Sequence, residues 1–451
     1  MRWTELAGRR VAVLGCGRDA AAVLRHWPQA TDMPMPPVLS EHPPAAELAA
    51  EWATVAGTAL SIGPFDGRQL AGYEILIKSP GISRHHPALA KARAAGVRLV
   101  TPAALALAAR GATQVVAITG TKGKSTAASL LVAMLQAAGI DAALGGNIGI
   151  PALDLLAGRH ALWVLELSSY QLADLDEQVE CGAILNLFPE HLDWHGSFAA
   201  YARDKLRLAG LAARVWADAG VIAEYGSIER LNEATPLGSA DGLHGTTAGI
   251  ADGERLLLAA DRLPLKGAHN RSNIAAMWQI ARHLGAGDAA VLAALERFTP
   301  LPHRMQVLGV HGGLTWIDDS ISTTPRATLA AIEAFSGPPL TVLIGGYDRG
   351  VDWSAALHEL AGAGLHAVIG VGEQGTRLVA AFDRAGGSLP GGIHTAAELP
   401  AAVDLAAVLT PPGGIVLLSP GAPSFDRYSD YQARGAHFAA LAARLDNGGV
   451  R

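Results

Sequence analysis

Short runs of almost purely apolar residues recur along the chain, and each run ends in a turn rich in glycine or polar residues. Examples are VAVLG at 11–15, VVAIT at 115–119, LWVLE at 162–166, LTVLI at 340–344, HAVIGVG at 366–372 and GIVLLS at 414–419. Runs without polar alternation are typical of strands buried on both faces of a parallel sheet. Helical segments rich in alanine and leucine lie between them, such as 124–138. The pattern predicts an α/β fold built on parallel sheets.

The apolar runs fall into three groups, and each group predicts a doubly wound sheet of its own. With 451 residues, the chain is also too long for one ordinary core. We therefore expect three domains, at residues 1–108, 109–301 and 302–451, with the first and third Rossmann-like. Ligands of such sheets bind at the carboxyl ends of the strands, where most Gly, Asp and Ser turns of this chain fall.

Composition narrows the classes of partner and compartment. Hydrophobic residues make up 50% of the chain and charged residues 17%, so sizeable cores can form. The formal net charge of −6 argues against a nucleic-acid partner, which requires broad neutralisation of phosphates. Cys16 and Cys181 lie in apolar contexts without zinc-site spacing, which indicates a reducing compartment. Since neither a signal peptide nor a long apolar run is recognisable, we expect a cytoplasmic protein without a membrane segment.

The stretch TGTKGKST at 119–126 follows a predicted strand and opens a predicted helix. This order is that of a phosphate-binding loop, in which glycines expose backbone N–H groups, a lysine reaches the β- and γ-phosphates, and a hydroxyl binds Mg²⁺. The alternative is a plain turn at a helix start. Ile118 stands where a glycine is usual, which weakens a direct analogy to G-proteins. The predicted ATP-binding residues are Gly120, Thr121, Lys122, Gly123, Lys124, Ser125 and Thr126. The second domain is therefore predicted to be an ATP-binding P-loop domain.

Two further segments of the second domain carry candidate metal ligands. Glu166 ends a predicted buried strand, where a carboxylate can bind a hard cation such as Mg²⁺, although an acid at a helix start is the alternative. His191 and Asp193 follow another predicted strand, and Lys205 lies on the helix after them. A histidine beside two acids at such a place is either a ligand or a structural residue.

Later segments add groups suited to a nucleotide. Asn270 and Asn273 share one face at the start of a predicted helix, where they suit an adenine edge or a ribose but are also ordinary capping residues. His303 and Arg304 stand at a domain junction, and arginine makes bidentate contacts to phosphate. The strand WIDDS at 316–320 ends in two carboxylates and a hydroxyl.

These motifs, taken in order from residue 11 to residue 438, resemble the Mur ligase family. The matching stretches are GTKGKST, GGNIGIPAL, VLELSSYQL, EHLDWHG with DKLR, KGAHNRSN, LPHR, DDS, LIGG and LLSPGAPSFDRY. The pair GGNIG at 145–149 and ELSSYQL at 166–172 is similar to the glutamate-adding branch of the family. The resemblance covers nearly the full length.

The resemblance implies an amide-forming ligase of peptidoglycan synthesis. ATP phosphorylates the carboxylate of UDP-N-acetylmuramoyl-L-alanine, and the amine of glutamate attacks the resulting acyl phosphate. Because a carboxylate and ATP are both anionic, cations must neutralise them, and two Mg²⁺ ions are expected. The first domain would bind the uridine diphosphate end of the acceptor. The third would bind glutamate and part of ATP.

The resemblance also assigns roles to residues. The catalytic group is Lys124, His191, Lys205 and His303, with His303 near the reacting phosphate. The metal ligands are Ser125, Glu166 and His191. Lys205 matches a lysine that is carbamylated in the family. Asn270, Asn273, Arg304 and Asp319 match the ATP side. Asn147 and Ser168 are the expected contacts to the muramoyl substrate. The glutamate pocket is Thr323, Arg349, Ser424, Phe425 and Tyr431.

Two departures from the family pattern affect the substrates. In GCGRDA at 15–20, Asp19 would stand near a diphosphate at a helix N-terminus, where its negative charge is unfavourable beside that of the diphosphate. Arg18 would compensate for that charge. The residues that contact the uridine are therefore not assigned. The usual DSKATN is DSISTTP at 319–325, so Ile321 replaces a lysine, and Arg349 stands where a lysine contacts the incoming amino acid. Since a hydrogen bond to a charged group is worth roughly 1.5–3 kcal/mol, moving one cation can alter selectivity. We expect glutamate in an altered pose, with L-glutamate favoured over D-glutamate.

Other functions remain open from the sequence alone. The alternatives are a D-glutamate-adding ligase of the same family, a folate polyglutamate ligase, a P-loop kinase acting on a small molecule and a nucleotide-binding regulator without catalysis. A folate ligase would lack the GGNIG and ELSSYQL pair, and a kinase would not need a third domain. A regulator would be expected to have lost its phosphate or metal residues. The protein is expected to act as a monomer.

Overall fold

The computed structural model describes residues 1–45, 48–54, 59–228, 230–384, 386 and 388–447. The chain divides into two compact units. Unit 1 contains residues 1–262 and 272–297, and unit 2 contains residues 263–271 and 298–451. Among the helices within those ranges, none combines the length and the apolar character that crossing a membrane requires.

Within the described residues, the strands form three larger sheets and one small sheet. Those of the first larger sheet are β1 (Val11–Leu14), β2 (Val38–Ser40), β3 (Leu60–Ile62), β4 (Ile75–Lys78) and β5 (Arg98–Val100). Those of the second are β6 (Val115–Thr119), β7 (Ala142–Gly146), β8 (Leu162–Glu166), β9 (Val179–Ile184), β10 (Ala212–Asp218) and β11 (Thr235–Leu237). The small sheet contains β12 (Leu243–Gly245), β13 (Gly249–Asp252) and β14 (Arg255–Ala259). The last contains β15 (Gln306–His311), β16 (Leu314–Asp318), β17 (Leu340–Ile344), β18 (Ala367–Val371), β19 (Ile393–Ala396) and β20 (Ile415–Leu418).

Helices connect most of these strands. In the first half of the chain they are α1 (Arg18–Ala30), α2 (Ala49–Thr54), α3 (Gly67–Leu70), α4 (Pro87–Ala94), α5 (Pro102–Arg110), α6 (Lys124–Ala137), α7 (Ser169–Ala173), α8 (Leu192–His195), α9 (Phe198–Leu211) and α10 (Ala219–Tyr225). In the second half they are α11 (Ala268–His283), α12 (Asp288–Arg297), α13 (Pro325–Ala334), α14 (Ser354–Gly362), α15 (Gly372–Arg384), α16 (Leu399–Leu409) and α17 (Tyr431–Arg444). Short 3₁₀ helices occur at Trp3–Leu6, Ala152–Ala157, Leu231–Glu233, Ala260–Arg262 and Leu445–Asn447.

The first sheet is parallel throughout, in the order β3-β2-β1-β4-β5. The strand order reverses between β1 and β4, so the loops after these two strands open at a switch point. They come very close there, because a Cβ on Gly15 would lie 2.8 Å from Oγ of Ser79. Gly15 has φ +88°, which a residue with a side chain rarely adopts.

The second sheet places the predicted phosphate loop at its centre. Its order is β11-β10-β9-β6-β8-β7, with parallel pairing, and every residue of β6 and β8 is buried. Strand β6 lies between β8 and β9, in register such that Ile118 pairs with Glu166 and Thr119 with Ile184. The loops after these three strands therefore leave the same edge of the sheet side by side.

Two further elements differ from the sequence-based expectation. The antiparallel sheet β12-β13-β14 escaped prediction, because its strands are only three to five residues long and mix apolar with polar residues. Helix α11 begins at Ala268. Asn270 and Asn273 therefore lie within its first turns and do not cap it.

The sheet of unit 2 has the order β15-β16-β20-β17-β18-β19, in which β15 runs antiparallel and the other strands are parallel. The predicted strands that became β16, β17, β18 and β20 are confirmed, whereas β15 and β19 were not foreseen. The predicted α/β class with parallel sheets is confirmed. The boundaries at residues 108 and 301 stay predictions.

Candidate active site

The loop between β6 and α6 has the geometry expected of a phosphate-binding loop. Gly120 and Gly123 have φ +156° and +81°, and Gly123 is the N-cap of α6. Nζ of Lys124 donates to the carbonyl of Thr121 at 2.9 Å. A Cβ on Gly123 would lie 2.7 Å from Nδ2 of Asn273, so this predicted ATP-side residue lies directly against the loop.

Two residues that the sequence did not single out hold this loop in place. The side chain of Asn186 accepts from the backbone N–H of Lys122 at 2.8 Å and donates to the carbonyl of the same residue at 3.0 Å. The hydroxyls of Thr121 and Tyr201 lie 2.8 Å apart. Asn186 lies two residues after the end of β9. The available signal was a polar residue near the carboxyl end of a predicted strand.

Glu190 is a third such residue, and it balances part of the positive charge of the loop. One carboxylate oxygen lies 2.5 Å from Nζ of Lys122, and the other lies 3.9 Å from Nε2 of His191. Burial would raise the pKa of Glu190, but Lys122 and, more weakly, His191 and Lys124 bring that pKa below its usual value. The carboxylate therefore stays charged beside the loop.

Glu166 and Asn147, from the two motifs of the glutamate-adding branch, are in direct contact. Oε1 of Glu166 accepts from Nδ2 of Asn147 at 2.7 Å, and the backbone N–H of Asn147 donates to the carbonyl of Glu166 at 2.8 Å. Glycine is required at 146, because a Cβ there would lie 2.3 Å from that carbonyl. Glu166 is 1% exposed, and its Oε2 receives no hydrogen bond from any residue that the structure describes. A buried, unsatisfied carboxylate oxygen suits a hard cation.

Lys205 is buried beside the phosphate loop. It is 2% exposed, its Nζ donates to the carbonyl of Gly120 at 2.8 Å, and the ammonium lies 5.0 Å from the centre of the Tyr201 ring. Burial, followed by the charge of Lys124, holds the pKa of Lys205 well below its usual range. A lysine in this environment readily becomes neutral, and the neutral amine is the form that reacts with CO₂.

The predicted metal ligands supply a donor set suited to Mg²⁺ once Lys205 is included. Within the described ranges, no group of three or more His, Cys, Asp and Glu side chains converges as a metal site. Ser125, Glu166 and His191 would contribute one carboxylate, one hydroxyl and one imidazole. Burial, helped by Lys205 and opposed by Glu190, lowers the pKa of His191, which keeps the imidazole neutral as a ligand requires. A carbamate on Lys205 would add a second anionic oxygen ligand. For Asp193, only the backbone lies within the described part of the structure.

A buried Ser-His-Asp network, also missed from the sequence, connects the elements that carry these groups. Nε2 of His195 lies 3.0 Å from Oγ of Ser169, and Nδ1 lies 2.8 Å from Asp204. The network joins α7, α8 and α9. The side chain of Ser168, an expected substrate contact, caps α7 in a reciprocal arrangement with Gln171.

The first sheet contributes the loop in which the sequence departs from the family pattern. Arg18 and Asp19 open helix α1, and Nη1 of Arg18 lies 3.5 Å from the carbonyl of Gly149, two residues after Asn147. Burial raises the pKa of Asp19 to about 6, an effect that Arg18 opposes and Asp154 reinforces. Asp19 therefore takes up a proton more readily than an exposed aspartate does, at the position expected to face a diphosphate.

In unit 2, His303 and Asp318 form a close pair at the end of β16. Nδ1 of His303 lies 2.6 Å from Oδ2 of Asp318, and the buried Oδ1 accepts from the backbone N–H of Ser320. The carboxylate fixes the orientation of the ring and leaves Nε2 available for a ligand. Helix α17 can approach only because residue 435 is glycine, since a Cβ there would lie 2.2 Å from Nδ1 of His303.

Asp319 is held by a separate set of donors. It is 3% exposed and accepts hydrogen bonds from Oγ of Ser322 at 2.5 Å, from Oγ of Ser419 at 2.7 Å and from the N–H of Met305 at 3.1 Å. Burial raises the pKa of Asp319 to about 6 despite these bonds. A charged carboxylate at this place therefore costs folding free energy at neutral pH.

The pH dependence of stability tests this cost. The folded carboxyl binds its proton more tightly than the unfolded one, so the contribution of Asp319 to stability falls as pH rises from 3.8 to about 6. The loss is on the order of 3 kcal/mol. Urea unfolding of wild type and Asp319→Asn between about pH 4 and pH 7 should show that this fall is absent from the variant. The exposed Asp383→Asn serves as the control. Parallel pH curves for wild type and Asp319→Asn would contradict the prediction.

Residues predicted for the glutamate pocket lie on the loops after β16, β17 and β20. The guanidinium of Arg349 lies 5.7 Å from the centre of the exposed Phe425 ring. Ser424 is 2% exposed, and its Oγ makes no hydrogen bond with any other described residue. Thr323 lies two residues before α13, and Tyr431 begins α17. The predicted pocket thus offers a forked cation and a buried hydroxyl that has no hydrogen-bond partner among the described residues.

The predicted residues therefore form two groups. Within unit 1 the structure brings together the phosphate loop, Asn147, Glu166, His191, Lys205 and Asn273. Unit 2 holds Asn270, His303, Arg304, Asp319, Thr323, Arg349, Ser424, Phe425 and Tyr431. Asn270 donates from Nδ2 to the carbonyl of Lys266 at 2.7 Å. The chemical role of each residue stays a prediction.

Comparison with protein-family models finds three matches along the chain. Residues 9–101 match the N-terminal domain of MurD-like Mur ligases, residues 118–215 match the Mur ligase middle domain, and residues 303–421 match the Mur ligase glutamate ligase domain. The three matched segments correspond, in order, to the first, second and last of the larger sheets.

Individual relatives agree with these matches. The chain is 40% identical to the UDP-N-acetylmuramoyl-L-alanine--L-glutamate ligase of Xylella fastidiosa (strain 9a5c), across 98% of this chain and 97% of that protein. Among solved structures, MurF of Thermotoga maritima in complex with ADP gives a TM-score of 0.60 at 15% identity, covering 99% of this chain and 97% of that one. The MurC ligase of the same organism gives 0.59 at 17% identity, covering 96% and 98%. These structures confirm the three-domain fold.

Proposed function

This chain belongs to the Mur ligase family of ATP-dependent amide ligases, and from that premise we propose that it joins glutamate to UDP-N-acetylmuramoyl-L-alanine in peptidoglycan synthesis, with L-glutamate preferred. The observation that supports the activity best is the buried Glu166 carboxylate, with one oxygen on Asn147 and the other without a partner among the described residues. Glu166 ends β8, which lies next to the strand that leads into the phosphate loop. An acceptor and ATP would meet there.

The first step transfers the γ-phosphoryl group of ATP to the acceptor. A carboxylate oxygen of the L-alanyl end attacks the phosphorus, the bond to the β-γ bridging oxygen breaks, and ADP leaves. The loop 120–126 would hold the phosphates through its N–H groups, with Lys124 at the β- and γ-phosphates. Bound Mg²⁺ would supply positive charge to neutralise the two anions, held by Ser125, Glu166, His191 and a carbamate on Lys205.

In the second step, the amine of glutamate attacks the carbonyl carbon of the acyl phosphate. The amide bond forms, the bond from that carbon to the phosphate oxygen breaks, and the amine passes a proton to the departing phosphate or to solvent. His303, oriented by Asp318 at 2.6 Å, is assigned to the departing phosphate. Arg304 and Asp319 are assigned to ATP in the same unit.

The proposed preference for L-glutamate rests on the pocket residues. The family lysine in DSKATN is Ile321 here, so one cation for a glutamate carboxylate is absent at that position. Arg349 replaces a second lysine and offers a wider, forked donor. Because these changes alter where a carboxylate is bound, they favour a different pose of the side chain. The L-glutamate ligase named among the relatives is consistent with this proposal.

A coupled assay of ADP release tests the proposal. We expect turnover only when ATP, Mg²⁺, UDP-N-acetylmuramoyl-L-alanine and glutamate are all present, with L-glutamate giving the higher kcat/KM. Each enantiomer should be assayed alone, with omission of the acceptor and omission of glutamate as the controls. Exclusive use of D-glutamate would overturn the proposed preference for L-glutamate but would still agree with the proposed ligase activity. ADP release without glutamate would instead indicate a kinase or an idle ATPase.

A further inference from the structure

Arg434 is a buried arginine with no place in the proposed chemistry. It lies in the first turn of α17 and is 4% exposed. Its hydrogen bonds go to two separate loops: residues 319–324, which follow β16, and residues 419–425, which follow β20. Both loops carry residues of the predicted glutamate pocket, with Thr323 on the first and Ser424 on the second.

The guanidinium of Arg434 bridges these loops through their backbones. Nη2 donates to the carbonyls of Ser320 at 2.9 Å and Ala422 at 3.0 Å, and Nη1 donates to the carbonyl of Pro423 at 3.3 Å. Nε donates to Oγ of Ser320 at 3.0 Å, and that hydroxyl in turn donates to the carbonyl of Tyr431 at 2.8 Å. One side chain thus connects both loops and the start of α17.

A forked cation is needed for this arrangement. Four acceptors on two loops lie around one planar group, and the single ammonium of lysine cannot donate to all of them in the same geometry. Among the described residues, the hydrogen-bond partners of Arg434 are carbonyl and hydroxyl oxygens, with no carboxylate. Burial lowers the pKa of Arg434 to about 10, so the group stays cationic near neutral pH. A buried cation without a direct carboxylate partner costs free energy, which argues against a role in packing alone.

The neighbouring ATP-side carboxylate does not depend on this bridge. Asp319 accepts its hydrogen bonds from Ser322, Ser419 and Met305. The bond from Ser419 to Asp319 and a bond of 2.9 Å from the N–H of Gly421 to the carbonyl of Ser322 also join the two loops, on the side of Asp319. Because these bonds remain without Arg434, its loss is expected to shift Thr323 and Ser424 relative to each other more than it disturbs Asp319.

We propose that Arg434 is a positioning residue of the amino-acid pocket: by holding loops 319–324 and 419–425 together, it sets the affinity for glutamate and the discrimination between its enantiomers. This inference rests on the proposed function. The wild-type assay with glutamate tests that function first, and the comparison of variants then tests the inference separately.

Steady-state kinetics of Arg434→Lys and Arg434→Gln test the proposal. We expect the KM for L-glutamate to rise about tenfold in the lysine variant and more in the glutamine variant, since hydrogen bonds from a charged group are lost. The ratio of kcat/KM between the two enantiomers should fall by a similar factor. The KM values for ATP and for the UDP-linked acceptor should change by less than about threefold. Arg444→Lys, at an exposed position of the same helix, should leave all of these constants unchanged.

A second variant keeps the test informative if Arg434 substitutions fail to fold. Ser320→Ala removes the hydroxyl between Arg434 and Tyr431 while leaving the guanidinium in place, and it should raise the glutamate KM by a smaller factor. Equal increases of all three KM values with a lower unfolding temperature would show that Arg434 acts on the fold alone. An unchanged glutamate KM in a folded Arg434→Lys protein would also overturn the inference.

Discussion

Lys205→Met is expected to lower kcat by about a thousandfold while the protein remains folded. Lys205 is almost completely buried, and burial together with Lys124 holds its pKa far below the usual value. Methionine matches its volume without a charge, so the substitution should not destabilise the interior. What it removes is the amine that would react with CO₂ to give an anionic group beside the phosphate loop.

Three measurements make this prediction specific. Intact-mass analysis under native conditions should show one added CO₂ on the wild type and none on Lys205→Met. Wild-type activity should fall in CO₂-free buffer and return with bicarbonate, whereas the variant should not respond. Lys91→Met, at an exposed lysine of α4, is the matched control and should behave as wild type. Near-normal turnover by folded Lys205→Met would exclude a catalytic part for this lysine.

Glu166→Gln is expected to lower kcat by about a hundredfold to a thousandfold and to raise the Mg²⁺ concentration required for activity. The amide oxygen of glutamine can keep the hydrogen bond from Asn147, which the wild type makes at 2.7 Å. The substitution therefore preserves the local packing. It removes the negative charge and puts an NH₂ group, which cannot bind a cation, in place of the oxygen that lacks a partner among the described residues.

Direct binding measurements separate this effect from a general loss of activity. Titration with Mn²⁺ in the presence of an ATP analogue should show weaker metal binding by Glu166→Gln, and thermal unfolding should be close to that of wild type. Glu254→Gln, at an exposed position between β13 and β14, supplies the control. Unchanged Mn²⁺ affinity in the variant would remove Glu166 from the metal ligands.

The sequence predicted best what depends on local pattern. The phosphate loop follows the apolar run that became β6, and Glu166 ends the run that became β8. In parallel sheets the carboxyl ends of strands are the expected place for ligands. The short strands β12 to β14 were not predicted, because three to five residues of mixed polarity carry little periodic signal. Strand β15 pairs antiparallel at a sheet edge with Val307 and Val310 exposed, which a search for buried parallel strands does not detect.

Several residues of the site could not be predicted from the sequence for a different reason. Asn186 and Tyr201 support the phosphate loop only because β9 lies next to β6 and α9 packs nearby, and neither fact is visible along the chain. The contact between His195 and Asp204 likewise joins helices whose packing the sequence did not reveal. Such contacts require the strand order and the helix placement, which no single motif encodes.

The bridge made by Arg434 has a consequence for how new amino-acid preferences can arise. Its partners Ser320 and Ala422 stand about a hundred residues apart in the chain, yet they share one side chain. A gene exchange with a crossover between these positions would combine one loop from each parent, and any difference between the parents in the path of a loop would move its carbonyls away from the arginine. Successful chimeras among related ligases should therefore inherit residues 319–434 as one block, so that the choice of amino acid passes between lineages as a single unit.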